Sequence, residues 1–352
     1  MVTSLEDRRT RVVDGMVVIP SRCHANNGPR ECCVSSWEEV PGPPADAVSG
    51  SLLLLSRSDV AARLPGIEEQ IGLAAGIFDA LAQGEVEMPP KIGIHPRPNA
   101  FIHAMPAYLK ARDVAVIKWV SGYPSNPGIG LPYISGVIVV NNPATGVPVA
   151  VLDAAEITAC RTAAASGVCI RAFAPADWSR VAILGCGEQG RYHARVVRAL
   201  RSDAVIVAYD VDPSRAASLC EGVEVAASAR EAVEGADVVV TAGPIVEHPQ
   251  PVLAPDWIPE RCLLLPIDFD FYVTRDAIES CSLFVVDDVD QFEYYRRQGH
   301  FQEWPEPRGS VGDALRSGRR GARSACVNLG VAALDAVFAE AVLRAGEQPG
   351  KA

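Results

Sequence analysis

No apolar run in this 352-residue chain approaches the roughly 20 residues of a membrane-crossing helix, so no membrane partner is expected. Positive charge is in deficit. Lys and Arg number 32 against 43 Asp and Glu, for a formal net charge of −11, and no basic stripe stands out. That balance argues against nucleic acid as a partner, although an acidic protein can take an anionic small molecule into a locally basic site. The ten cysteines contain no C-x-x-C pair, and in a chain of this length they read as reduced thiols rather than a disulfide framework. Cys160, Cys169, Cys186, Cys220, Cys262, Cys281 and Cys326 sit among apolar neighbours and read as small core residues. Cys23, Cys32 and Cys33 cluster near His24 in a loop-like segment without the spacing of a metal site, so no metal is expected. No apolar core follows residues 1–9, as a secretory signal would require, and the expectation is a cytoplasmic protein. Internal repeats, low-complexity tracts and long linkers are also missing.

What is present is ordinary globular composition, 49% hydrophobic and 21% charged, in a chain long enough for two domains. Residues 1–50 are poorly patterned and read as an extension. The sharpest signal is Val181-Ala182-Ile183-Leu184-Gly185-Cys186-Gly187-Glu188-Gln189-Gly190. A buried strand runs into G-x-G-x-x-G, then a helical stretch over 191–200, then a second apolar run over 204–209 that ends on Asp210. This is the dinucleotide fingerprint in its full context. Gly185 permits the tight turn, Gly187 lets the backbone approach a pyrophosphate, and Gly190 lets helix and strand pack closely. The helix N-terminus then offers N–H groups to the phosphates. A carboxylate at Asp210 suits ribose hydroxyls and repels a 2′-phosphate, which favours NAD(H) over NADP(H); Arg215 is the residue that could hold such a phosphate instead.

Further strands are expected over 222–226, 237–241, 262–267 and 283–286, making a doubly wound parallel sheet of six. Strand C-termini line the ligand crevice of such sheets, so Thr241 and Ala242 should approach the cofactor. Before it, strands over 52–55, 91–94, 99–104, 114–120, 135–141 and 149–152 and an amphipathic helix over 67–81 describe an α+β layer. A helix capped at Ser58-Asp59 is expected ahead of Pro65. The strands carry Lys91, His103 and Lys118, each of which taken alone reads as a solvated face residue. A small-residue helix opens at Thr158-Ala159-Cys160-Arg161-Thr162-Ala163 and leads to the nucleotide domain. After it, 324–343 reads as one long helix packing back on the first layer. The expected domains are 51–162 with 323–352, and 163–322 for nucleotide; that the first binds substrate and forms the dimer is what the family resemblance given next implies.

Ile117-Lys118-Trp119-Val120, Thr145-Gly146-Val147-Pro148, Arg161-Thr162-Ala163-Ala164 and Gly185-Cys186-Gly187-Glu188-Gln189 together resemble the ornithine cyclodeaminase / mu-crystallin family, from about residue 52 to the C-terminal helix. The resemblance implies a Rossmann domain inserted in a split α+β domain, a homodimer, and NAD(P)-dependent chemistry at the α C–N bond of amino, imino or 2-oxo acids. It implies that Lys91, Lys118 and Arg161 hold the substrate carboxylate. Gly185, Gly187, Glu188, Gln189, Gly190, Asp210, Thr162, Thr241 and Ala242 would contact the cofactor. Asp268 falls at the family's catalytic aspartate, with Asp270 a rival because the surrounding residues match loosely. Ornithine cyclodeaminases carry a glutamate where this chain has His103. Its absence favours plain redox chemistry, by an imine reductase or amino acid dehydrogenase, over ammonia-releasing cyclisation. A non-catalytic binding protein of the crystallin kind is the third reading. His103, able to titrate near neutrality, is an alternative acid or base to Asp268, and Lys118 joins the catalytic candidates.

Overall fold

The structure is a computed structural model that describes residues 11–13, 16–18, 52–246 and 248–347. The chain divides into two compact units, Met1–Ser49 and Gly50–Ala352. In the first, β1 (Arg11–Val13) and β2 (Met16–Val18) form an antiparallel pair. Cys23, His24, Cys32 and Cys33 lie outside the described residues.

The second unit holds two seven-stranded sheets. One is built from β3 (Leu53–Leu55), β4 (Val86–Glu87), β5 (Ile92–Ile94), β6 (Phe101–Leu109), β7 (Val114–Gly122), β8 (Ile134–Asn141) and β9 (Pro148–Asp153). Its order is β3-β9-β8-β7-β6-β4 with β5 also on β6, and every pairing is antiparallel except β3 with β9. Period-two alternation gives β7 an inner face of Val116, Lys118 and Val120 and an outer face bearing Ile117 and Trp119. The inner face packs on α10 (Ala332–Glu347), which in turn packs on α2 (Ile67–Ala82), in one core that includes Ile71, Phe78 and Phe338. Ahead of α2, α1 (Arg57–Arg63) begins at Ser56, whose hydroxyl accepts the Asp59 N–H while the Asp59 carboxylate accepts the Ser56 N–H. The cap is thus Ser56 rather than Ser58-Asp59, because the box needs its acid three residues on.

The other sheet is wholly parallel: β10 (Arg180–Leu184), β11 (Val205–Tyr209), β12 (Glu224–Val225), β13 (Val238–Thr241), β14 (Cys262–Pro266), β15 (Leu283–Val286) and β16 (Arg323–Val327). Its order, β12-β11-β10-β13-β14-β16-β15, reverses direction of winding between β10 and β13, the crevice where such sheets take ligands. β16 corrects the expected helix over 324–343. The run Ser324-Ala325-Cys326-Val327 is buried throughout, and a short apolar run of this kind has no period to tell strand from helix. Gly330, at φ +91°, then turns the chain into α10. The sheet therefore has seven strands rather than six, and the chain leaves it after 327 rather than at 323.

Between the layers runs α3 (Ala155–Phe173), buried along almost its whole length. Only small residues permit this. A Cβ added at Gly167 would stand 2.9 Å from Ile71 of α2 and 3.0 Å from Val196 of α4 (Glu188–Leu200), one on each side. No helix among the described residues is long and apolar enough to cross a membrane.

Candidate active site

The glycine-rich turn does what each glycine demands. Gly185 has φ +95°, and a Cβ there would lie 2.4 Å from the Ala242 carbonyl oxygen. A Cβ on Gly190 would lie 2.3 Å from the Gly185 oxygen. Gly187, by contrast, has nothing within 4 Å of where its Cβ would be, at the mouth of a 13-residue helix with no side-chain cap. An open cradle over free N–H groups fits a pyrophosphate. Asp210 at the end of β11 accepts the Cys186 N–H at 2.7 Å and the Asp212 N–H at 2.9 Å, bracing the turn from behind. Arg215 faces Asp212 at 3.6 Å, both exposed.

The remaining expected cofactor residues divide. Thr241 and Ala242 end β13 beside the turn, and the Ala242 N–H donates to the Leu184 oxygen at 2.7 Å. Thr162 donates its hydroxyl to the Thr158 oxygen at 2.8 Å, and Gln189 reaches the same oxygen at 3.5 Å. Glu188 is engaged elsewhere: it accepts from Arg57 at 2.5 Å, and Arg57 also binds Glu156 at 2.7 Å.

Asp268 lies just past β14, 2% exposed. Its carboxyl accepts the Thr241 hydroxyl at 2.6 Å and the Gly243 N–H at 2.8 Å. Burial nevertheless pushes it up to about 7, against those two hydrogen bonds. Asp270 has a different task. It accepts the Phe301 N–H at 2.8 Å and faces His300 at 3.4 Å, tying down the segment after α8 (Val289–Arg297).

The three expected cations come together. Lys118 is fully buried, 2.8 Å from Asp335 on α10. Arg161 on α3 reaches the same carboxylate at 3.3 Å. Lys91, 8% exposed, donates to the Leu329 oxygen at 2.5 Å and lies over the rings of Tyr295 and Phe269 at 5.1 and 5.6 Å. Burial, with Arg161 and Lys118 adding repulsion, holds Lys91 down to about 7, and burial holds Lys118 down to about 8. His103 stacks on Phe101, centroids 4.3 Å apart. Burial, with Lys91 and His95 next, pushes it down to about 3. Its ring is thus neutral at physiological pH rather than titrating near neutrality, and it lacks the imidazolium proton that a general acid would donate.

Two acids here escaped sequence reasoning. Asp335 is wholly buried between Lys118 and Arg161. Asp287 ends β15, 2% exposed, and accepts the Gly330 N–H at 2.7 Å; burial pushes it up to about 6. Asp335 did leave a signal: a lone acid in the apolar run Ala332-Ala333-Leu334-Asp335-Ala336-Val337-Phe338 must be paired if the helix is buried. Against the three bases, these two acids leave an excess of positive charge suited to one incoming carboxylate. A cavity of about 410 Å³ elsewhere, bordered by Gly72, Gly76, Leu109 and Val337, contains none of these groups. Among the described residues no group of three or more His, Cys, Asp or Glu could hold a metal ion.

Comparison with known proteins places the chain by family and by fold. The model of the ornithine cyclodeaminase/mu-crystallin family matches residues 52–319. The nodulation efficiency protein NfeD of Rhizobium meliloti is 35% identical over 309 residues, 84% of this chain and 96% of that protein. The Thermococcus litoralis Δ1-pyrroline-2-carboxylate reductase, solved with NADH and L-proline, is similar at a TM-score of 0.75 and 28% identity, over 84% of this chain and 98% of its own. An archaeal alanine dehydrogenase dimer with bound NAD gives a TM-score of 0.74 and 26% identity, covering 84% and 96% of the two chains.

Proposed function

The chain belongs to the ornithine cyclodeaminase/mu-crystallin family, and we propose that it is an NAD(H)-dependent oxidoreductase acting on the α C–N bond of an amino or imino acid. The observation that carries this is the convergence of Lys91, Lys118 and Arg161 in one buried cluster within a unit that also holds Asp268 beside an open nucleotide turn. The named activities of the Thermococcus and archaeal proteins point the same way.

When bound, NAD(H) supplies or accepts a hydride at the substrate α-carbon. The chain's own residues do the rest. Arg161 offers a planar fork to the substrate carboxylate and the lysines add point charges. An incoming carboxylate raises Lys91 back toward its charged form. Asp268, near 7, is present in both forms at neutral pH: protonated it can deliver a proton toward an imine nitrogen, ionised it can take one from an amine. Asp270, committed to Phe301, is set aside for that role. Residues 51–162 and α10 form the substrate layer in this reading, and the parallel sheet forms the nucleotide layer.

NAD(H) rather than NADP(H) is part of this reading, supported by the carboxylate of Asp210 at the end of β11, which disfavours a 2′-phosphate nearby, and by Arg215 lying 3.6 Å from Asp212. A homodimer is proposed through the outer face of the first sheet. Ile92, Trp119 and Val137 lie on one cross-strand row there, exposed by 61%, 46% and 38%. A cytoplasmic setting suits the described cysteines, all of which are free thiols.

The test is to incubate the protein with NAD and a panel of α-amino acids, and with NADH plus 2-oxo acids and amines. NADH absorbance and free ammonia are followed together. Steady turnover of NADH supports the proposal. Ammonia and a cyclic imino acid without net NADH change would make it a cyclodeaminase. NADH binding with neither signal would make it a binding protein.

A further inference from the structure

Behind the site runs a buried chain of hydrogen bonds that the proposed chemistry does not use. The His193 Nδ1 faces the Gln189 carbonyl oxygen at 2.8 Å, so Nδ1 carries the proton. Nε2, at 2.9 Å from the Ser166 Oγ, must then accept the Ser166 hydroxyl. With its proton so committed, Ser166 accepts in turn from the Asn328 side-chain amide at 3.3 Å. The direction of every bond is thereby set: Asn328 to Ser166 to His193 to Gln189. Ser166, His193 and Asn328 are 0%, 1% and 3% exposed. Burial holds His193 down to about 4, so the ring stays neutral and the order of donors does not reverse.

Each end of this chain is attached to one half of the site. Gln189 lies in the glycine-rich turn. Asn328 opens the segment whose next two residues support the cations. The Leu329 oxygen binds Lys91; the Gly330 N–H binds Asp287 at 2.7 Å, and the Gly330 oxygen accepts from Gln291 at 3.2 Å. Gly330 also abuts Arg161 so closely that a Cβ would lie 2.6 Å from its Nη1. Two helices and one loop are joined in this way: α4 gives His193, α3 gives Ser166, and the β16–α10 loop gives Asn328.

We propose that Ser166, His193 and Asn328 are positioning residues that couple the nucleotide turn to the 328–330 segment, so that occupation of the turn sets the placement of Lys91 and Arg161. The consequence is ordered function: cofactor first stiffens the carboxylate site, and the acid then binds tighter. This inference rests on the cofactor reading above.

Hydrogen–deuterium exchange of the full-length protein, with and without NADH, tests it on the peptide covering residues 323–331. NADH should slow exchange there about tenfold or more in the wild type. Ser166→Ala should still bind NADH, within about threefold of wild type by fluorescence titration, yet lose that slowing. Asn328→Ala, cutting the same chain at its other end, should lose it too. His193→Gln, which keeps a donor and an acceptor, should restore part of it relative to His193→Leu. Slowing that survives in Ser166→Ala, or is missing from wild type that binds NADH, overturns the coupling. Variants that only lower the melting temperature while keeping the NADH-dependent slowing would make the chain structural, and overturn it as well. Wild-type protein that binds no NADH at all would instead remove the cofactor reading, and the coupling with it.

Discussion

Burial holds Asp268 and Lys91 away from their usual ranges, and in the proposed reaction Asp268 is the acid. Asp268, near 7, is protonated below that pH, the form that the proposed imine reduction needs. The reductive rate should therefore fall as pH rises above about 7, while amino acid oxidation, which needs the carboxylate, should rise. In Asp268→Asn both pH dependences should flatten and kcat should drop by about 10²- to 10⁴-fold, the usual worth of a positioned acid; kcat profiles in both directions check this. Arg161→Ala removes the fork from the carboxylate, and with charged hydrogen bonds worth about 1.5–3 kcal/mol it should raise KM for the acid roughly 10- to 100-fold. NADH affinity should be spared, and a KM unchanged from wild type would remove Arg161 from the substrate site. Lys91 also shapes stability. Its folded value near 7 lies below the ordinary 10.5, so between those pH values the unfolded chain binds the extra proton. Stability from this group is therefore lowest below pH 7 and recovers as pH rises toward 10.5. Lys91→Met should melt higher than wild type at pH 6, and that advantage should fade by pH 10 in thermal denaturation curves.

At the scale of elements, α10 supplies the counter-charge for strands and helices far from it in sequence. Asp335 alone faces both Lys118 of β7 and Arg161 of α3. Removing one partner of a buried pair typically costs about 3–5 kcal/mol, because the other charge is stranded. Asp335→Leu should lose stability of that order in urea unfolding. Adding Lys118→Met should recover part of the loss, since only Arg161 then lacks its partner. This helix also marks how far the sequence was legible. The strand–turn–helix around Gly185, the acid at Asp210 and the doubly wound sheet were all readable, because each follows from local pattern and a steric need of specific glycines. The convergence of Lys91, Lys118 and Arg161 was expected only through family resemblance. An inward lysine on β7 looks like any strand lysine until the register fixes its face. Asp335 and Asp287 were missed because pairing across some 170 to 220 positions has no local period. β16 was missed because a strand buried on both faces has none either. Asp268 and Asp270, rivals in the sequence, differ in their hydrogen bonds: one carboxylate faces the end of β13, the other the Phe301 backbone, and the proposed role of Asp268 builds on that difference.

For the whole molecule, the outer face of the first sheet is notable for exposing large apolar side chains among the described residues. Trp119, with Val137 beside it and Ile92 two strands away on the same row, sits on it at 46% exposure. If two copies meet there, Trp119→Glu should shift sedimentation from dimer to monomer while leaving far-ultraviolet circular dichroism unchanged; a wild-type monomer would end the proposal. The seventh strand of the parallel sheet carries a further consequence, for the order of assembly. β16 is last in sequence among the fourteen strands of this unit, yet it sits between β14 and β15 and pairs with both. Until residues 323–327 are in place, β15 has no partner in the sheet and β14 shows a bare edge of Cys262-Leu263-Leu264-Leu265. Such edges template pairing between chains. The nucleotide layer, though coded mostly in the middle of the gene product, is therefore completed only by its tail, and a nascent chain halted before residue 323 holds sticky half-sheets rather than a finished domain.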